Sequence, residues 1–489
     1  MNGAVERELK LAVPDAFSLA RMEPRLDPYV AAPVALERLH TVYYDTDDLR
    51  LTRWGCSLRY RGGEGWTLKL PVPHEAGRMY RAEHVFPGDG SVVPPEALDL
   101  ATAFVRGAQL RPVAELRTLR ASRRVRSEDG EEIADVVEDD VHVVEGTRVV
   151  RRFRQIEIEL AKGAPDEALD ELAALLRDAG AGEPDPVAKN VRALGERATQ
   201  SEIAVPPPKP RSPAREVMRA AFAASLERLV RQDPLLRLSA NEDAVHDARV
   251  ATRRLRSDLR TFRPLLDETY ARELRERLRF LQDGFAAARD ADVLLARIAR
   301  HADLLASEDR ERAGAILEAL RGAREAAYGR MLAMLREPRY AALLQELVEL
   351  VQRPPCGALA DEPAREVVPE VVDDAWSALR KRVRRRSRPP SNRELHRIRI
   401  AAKRTRYAAE AAAPVLGRSA EKLASAVEAI QTTLGDQHDA VVACGTLRAW
   451  ADDGAAAFAA GELTVIEQRA AAEGRYAWRK AWKRARRAR

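Results

Sequence analysis

The chain is poor in the residues that staple a fold or span a membrane. Its 489 residues include three cysteines, Cys56, Cys356 and Cys444. They lie far apart, which excludes a disulfide framework and metal-ligand spacing, and a reducing cytoplasm is the expected compartment. Aromatics make up 5% of the chain, which argues against extended base stacking. No run approaches the ~18 uncharged apolar residues of a membrane helix, so no membrane partner is expected. The first ten residues already hold Glu6, Arg7, Glu8 and Lys10, unlike a secretory signal. What is plentiful is apolar residues, at 46%, and charge, at 32%. That composition excludes a disordered or collagen-like chain, and the length suits several domains. The net charge of +6 is modest, so where the charge sits matters more than its sum.

The sharpest break runs through Pro206, Pro207, Pro208, Pro210 and Pro213. Proline at this density continues neither a helix nor an inner strand and reads as a semi-rigid linker. The expected organisation is therefore a domain over 1–202, a linker over 203–213 and a second domain over 214–489. Before the linker, apolar and polar residues alternate over 5–11, 41–44, 57–61, 66–70, 80–86, 133–144 and 153–160. Turn residues such as Gly62 and Gly63 separate the segments, the pattern of antiparallel strands in a sandwich or barrel. A helical pattern over 166–178 interrupts it. After the linker Ala, Leu, Arg and Glu dominate with apolar spacing of three and four, which predicts an all-α domain of about ten helices.

The helical half repeats itself. His246, Arg249, Arg253 and Arg256 match His396, Arg399, Lys403 and Arg406. Downstream, Gln282 and Asp290 match Gln431 and Asp439, at His-to-Asp separations of 44 and 43 residues. A duplicated helical bundle follows. On a helix each tetrad forms a single cationic stripe. Neighbouring like charges cost helix stability, so a stripe present in both copies points to a bound polyanion rather than to a solvated face. Asp290 and Asp439 are expected to cap a helix or hold the stripes in register. Nearby, 380–406 holds thirteen Lys and Arg against one acid, Glu394, and 475–489 holds eight basic residues. Nucleic acid is the less favoured partner, because the stripes lack interleaved aromatics.

In the first half, Glu6, Glu8 and Lys10 occupy alternate strand positions and share a face. Arg59 with Arg61, Thr67 with Lys69, Arg81 with Glu83, and Glu157 with Glu159 do the same. Strands that each turn charge to one side make a barrel with a charged lumen. Carboxylates there suit hard divalent ions, and Arg and Lys suit phosphate oxygens.

This ordered set resembles the CYTH family of triphosphate tunnel metalloenzymes: Glu6-x-Glu8-x-Lys10, Tyr43-Tyr44-Asp45-Thr46, Leu58-Arg59-Tyr60-Arg61, Trp66-Thr67-Leu68-Lys69, Arg78-x-x-Arg81-x-Glu83, Arg117-x-x-Arg120, Asp139-Asp140, Glu157-Ile158-Glu159 and Ala188-Lys189. The histidine-led basic helices resemble the CHAD domain. The resemblance implies an α+β two-domain protein. Its N-terminal part would be an eight-stranded antiparallel tunnel with flanking helices, and its C-terminal part an all-α duplicated bundle that binds polyphosphate. It implies hydrolysis of inorganic triphosphate with Mg²⁺ or Mn²⁺, with Glu6, Glu8 and Lys10 as the catalytic triplet. Glu6, Glu8, Asp139, Glu157 and Glu159 would hold metal, with Glu83 as a further candidate. Lys10, Arg59, Arg61, Lys69, Arg81, Arg117 and Lys189 would hold phosphates. The two tetrads led by His246 and His396 would bind polyphosphate. The alternatives are a non-catalytic adaptor associated with polyphosphate granules and a nucleotide cyclase, the latter without any visible nucleobase pocket.

Overall fold

The computed structural model describes residues 4–21, 25–26, 28–72 and 80–489, with the side chains of 4–6, 25–26, 72 and 80–81 outside the description. The chain divides into two compact units, Met1–Glu202 and Ile203–Arg489.

The first unit is built on β1 (Ala4–Glu6), β2 (Glu8–Ala12), β3 (Arg25–Leu26), β4 (Tyr29–Ala31), β5 (Ala35–Asp45), β6 (Ser57–Arg61), β7 (Gly65–Val72), β8 (Tyr80–Phe86), β9 (Arg111–Arg126), β10 (Glu132–Glu145) and β11 (Arg148–Leu160). The ladder runs β1-β8-β7-β6-β5-β9-β10-β11-β2, with β3 and β4 at its margin. Its two ends are halves of one N-terminal strand interrupted at Arg7. β1 pairs with β8 and β2 with β11, so the sheet curls back on itself as an antiparallel barrel. Arg7 shares the outward parity of Leu9 and Leu11. Its guanidinium donates to the carbonyls of Ala161 and Ala164, both at 2.7 Å, and to Asp166 at 2.8 Å.

Inside and outside are sorted by the two-residue period. Outward-facing Leu11, Val136, Ile156 and Ile158 are fully buried beneath α3 (Glu167–Asp178), which contributes Leu169, Leu172 and Leu176. Burying each such side chain contributes about 1.5–3 kcal/mol. With the apolar positions covered from outside, the opposite face of the same strands can be polar. One end of the lumen is apolar instead, where Tyr43, Leu116, Val141 and Val143 cluster with Ala193 of α4 (Lys189–Leu194). The β6–β7 turn requires glycine. Gly65 has φ 91, and a Cβ there would lie 2.7 Å from the Phe86 carbonyl oxygen. The 16-residue strand β9 and the helix over Pro95–Val105 were not among the elements expected from periodicity.

The second unit contains nine α-helices among the described residues: α5 (Ala214–Leu238), α6 (Glu242–Thr261), α7 (Glu268–Ala302), α8 (Ser307–Leu335), α9 (Pro338–Gln352), α10 (Ala364–Arg385), α11 (Asn392–Leu416), α12 (Arg418–Leu447) and α13 (Ala457–Ala488). The internal repeat maps α5-α6-α7 onto α10-α11-α12. Its symmetry is visible in the backbone. Ala214 N–H donates to the Glu362 carbonyl and Ala364 N–H to the Ser212 carbonyl, both at 2.8 Å. These reciprocal bonds flank paired Pro213 and Pro363. The end of the expected linker is thus bridged to the segment that precedes α10. No helix among the described residues is long and apolar enough to cross a membrane.

Candidate functional site

The barrel encloses a polar cavity of about 260 Å³. Strands on its two sides bring together Glu8, Lys10, Arg59, Arg61, Lys69, Glu83, Arg120, Glu157, Glu159 and, from the start of α4, Lys189. Register explains the convergence. Lys10 lies opposite Glu157 and Glu8 opposite Glu159, while Arg59 opposes Thr67 and Lys69 opposes Glu83.

Acids and bases alternate through this lining. Lys10 Nζ sits 2.6 Å from Glu8 and 3.0 Å from Glu157. Lys189 contacts Glu157 and lies 2.7 Å from Asp139. Glu83 lies 3.5 Å from both Arg59 and Lys69. Arg61 donates to Thr41 Oγ1 at 3.1 Å and to Glu64 at 2.8 Å. Burial alone would raise the Glu157 carboxyl, but Lys189 and Lys10 outweigh it and hold the group well below the usual carboxylate range. Burial likewise opposes the charge of Lys189, and Glu157 with Asp139 overcomes it and raises the ammonium. Glu157 and Lys189 thus favour each other's charged form.

The geometry places two of the expected residues differently, Arg117 and Asp139. Arg117 does not face the cavity. It lies on the outer side of β9 with its side chain 58% exposed, near Glu115, because lumen positions of β9 have the parity of Leu116, Thr118 and Arg120. Arg120 is the inward arginine. Asp139 points inward but stands behind the lining, gripped by Arg120 at 2.9 and 2.8 Å and by Lys189. Asp140 faces out to Arg152. The side chains of Glu6 and Arg81 lie outside the described residues, although their backbones pair in register; Arg78 is likewise outside them. Asn190, Ser57 and Glu64 line the cavity without having been singled out in the sequence, and Tyr43 of the quoted Tyr43-Tyr44 motif joins them. Of these, Asn190 carried a signal, through its place beside Lys189. Asp45 accepts from the backbone of Thr46, Leu51 and Thr52 at 2.7–2.9 Å, so it fixes a loop rather than joining the site.

The donor set suits a hard divalent cation. Glu8, Glu157 and Glu159 offer only carboxylate oxygens. Among the described residues no three His, Cys, Asp or Glu side chains form a closed ligand cluster. An ion here would draw its remaining ligands from water and substrate oxygens, the usual arrangement for Mg²⁺.

The helical unit holds a different site. A groove of about 360 Å³ between α6, α7 and α11 is lined by Arg249, Arg253, Arg256, His396, Arg399 and Lys403, with Arg260, Arg275, Arg404 and Tyr407 beside them. Two members of the expected tetrads stay out of the lining. Arg406 turns to Glu410 at 2.6 Å and Glu428 at 2.8 Å. His246 is also outside it, and burial and Arg289 lower its imidazole from the ordinary value. Asp290 lies within α7 rather than at a helix cap and accepts from Arg249 at 3.0 Å. Several polar atoms in the groove are buried and have no hydrogen-bond partner among the described residues: His396 Nδ1, Arg399 Nε and Arg404 Nε. Buried polar groups left unpaired are uncommon, and water or an ion commonly completes them. Burial, with Arg253, Arg399 and Arg249, pushes Lys403 down to about 6. His396 stacks on His438 at 4.6 Å, and burial with Arg399 lowers His438 to about 4.

Comparison with known proteins identifies both domains. The CYTH domain model matches residues 4–189 and the CHAD domain model residues 220–448. The uncharacterized protein Rv2226 of Mycobacterium tuberculosis is 32% identical over 447 residues, covering 84% of this chain and 83% of that protein. Among solved structures, PptA from Streptomyces chartreusis is 21% identical with a TM-score of 0.47, covering 56% of this chain and 100% of that one. The CHAD domain from the plant Ricinus communis is 24% identical with a TM-score of 0.47, covering 56% and 96%. The chain belongs to the family in which a CYTH domain, of the triphosphate tunnel metalloenzymes, is followed by a CHAD domain.

Proposed function

We propose that the barrel hydrolyses inorganic triphosphate, or a related terminal triphosphate, with Mg²⁺ or Mn²⁺, and that the groove of the helical unit binds polyphosphate. The observation that carries the first part is the gathering of Glu8, Glu157 and Glu159 with Lys10, Arg59, Arg61, Lys69 and Lys189 around one small cavity. The three carboxylates would hold the ion, which supplies Lewis-acid polarisation of a phosphoryl oxygen when bound. The cations bind the non-bridging oxygens, fix the chain along the lumen and oppose the charge that spreads over the transferred phosphoryl group. Arg120 and Asp139 position Lys189. The second part rests on the unpaired donors of the groove. Granule-associated, cytoplasmic work follows from such binding.

Phosphate release from triphosphate, ATP, thiamine triphosphate and long polyphosphate, each with Mg²⁺ and with Mn²⁺, tests the reading. Release from triphosphate that is lost in Glu8→Ala supports it. Inertness of the wild type with every metal would leave the non-catalytic adaptor.

A further inference from the structure

The helical unit carries a second basic cavity, of about 440 Å³, between α10 and α11. Around Ala378, α10 presents Lys381, Arg382 and Arg385, spaced so that all four share one face, and Arg386 and Arg397 extend the lining. Lys381, Arg382, Arg385 and Arg397 are exposed. Among the described residues none of these four forms an ion pair, whereas Arg254 and Arg406 share Glu410. The one acid of the lining is engaged already. Glu394 accepts from Ser387 N–H at 2.9 Å and Ser391 N–H at 2.8 Å, and hydrogen bonds from both serines hold it at about 2. Arg386 lies over the Trp478 ring at 5.5 Å, with its Nε buried and unpartnered. Such a row of like charges costs helix stability and is relieved by an anion.

The chemistry favours a bare phosphate chain over nucleic acid. Trp478 is fully buried, Trp376 and Trp482 stack on one another at 5.2 Å, and the lining contains no ring. A base would have no stacking platform. The cavity also adjoins the central groove through α11, which supplies Arg397 to the cavity lining and Arg399 and Arg404 to that of the groove.

We propose that Lys381, Arg382 and Arg385 form a second polyphosphate subsite, which continues the central groove and makes long chains bind more tightly than short ones. The proposal rests on the reading of the groove given above. The test uses the full chain, with a polyphosphate of about ten residues and one about tenfold longer, at several salt concentrations. In Lys381→Glu/Arg382→Glu/Arg385→Glu, short-chain affinity should stay within about twofold while long-chain affinity falls about tenfold, with a shallower salt dependence. The corresponding triple Gln variant, with an unchanged helical circular dichroism, should reproduce the direction. Unchanged long-chain affinity in both variants overturns the subsite and leaves the groove standing. If Arg253→Glu/Lys403→Glu leaves short-chain binding intact, the groove reading fails and its extension falls with it. RNA that displaces long polyphosphate from α10 as well as polyphosphate does also overturns the proposal.

Discussion

The barrel lumen and the helical groove are both crowded with cations, yet they solve the crowding in opposite ways. In the lumen each buried base has its acid: Lys10 has Glu8 and Glu157, and Lys189 has Glu157 and Asp139. The groove has few acids, and among the described residues polar atoms such as His396 Nδ1 and Arg399 Nε have no hydrogen-bond partner. A neutralised lining can stay folded and charged while it waits for a substrate that brings its own metal. A one-signed lining instead lowers the proton affinity of its members, as at Lys403, until an anion arrives. The comparison teaches that two phosphate sites can differ in where the counter-charge comes from.

The largest effects should break the first half of this contrast. Glu8→Ala should lower phosphate release about 10³-fold, as expected for loss of several kcal/mol of transition-state stabilisation, with little change in melting temperature, since Lys10 keeps Glu157. Glu157→Ala should in addition cost about 3–5 kcal/mol of stability, because Lys10 and Lys189 are left buried without it; denaturant unfolding measures this. The depressed carboxyls of Glu157 and Asp139 contribute stability that is present above the usual carboxylate range and lost as pH falls through their folded values, below about 4. That loss should be blunted in Glu157→Gln.

Smaller effects sharpen the second half. Lys403, pushed down to about 6 by burial and its cationic neighbours, should take up a proton when an anion enters. Polyphosphate affinity should therefore rise as pH falls from 9 towards 6, by up to about tenfold per unit, and calorimetry in two buffers should show proton uptake. Lys403→Arg should flatten that slope. The smallest effect should be that of Arg117→Ala, within about twofold in phosphate release, against about 10²-fold for Arg120→Ala. Equal losses at the two positions would mean that the parity of β9 is misassigned.

How much of this was legible depended on whether one period dominated a segment. Around Glu8 and Lys10, and from Arg59 to Lys69, charge and apolar residues alternate cleanly, so the lumen face could be read directly. β9 hid itself because arginines occupy both of its faces: Arg117 and Arg123 on one, Arg120 and Arg124 on the other. No residue type then marks the inside, and only pairing with Asp139 across the ladder settles it. The cationic stripes were legible as far as helical spacing carries. It placed Arg253 and Lys403 in the groove but could not foresee that Glu410 and Glu428 would draw Arg406 away. The unsatisfied donors of the groove had no counterpart in the sequence, because lacking a partner is a property of three-dimensional surroundings.

The reciprocal backbone bonds at Ser212, Ala214, Glu362 and Ala364 have a consequence for ancestry. Each repeat supplies one wall of the groove, so a single copy would have had half a site and would have needed a twin to complete it. Joining the twins in tandem holds the walls at high effective concentration whatever the protein's abundance. It also releases each wall to specialise, as His396 in the groove and His246 outside it already show.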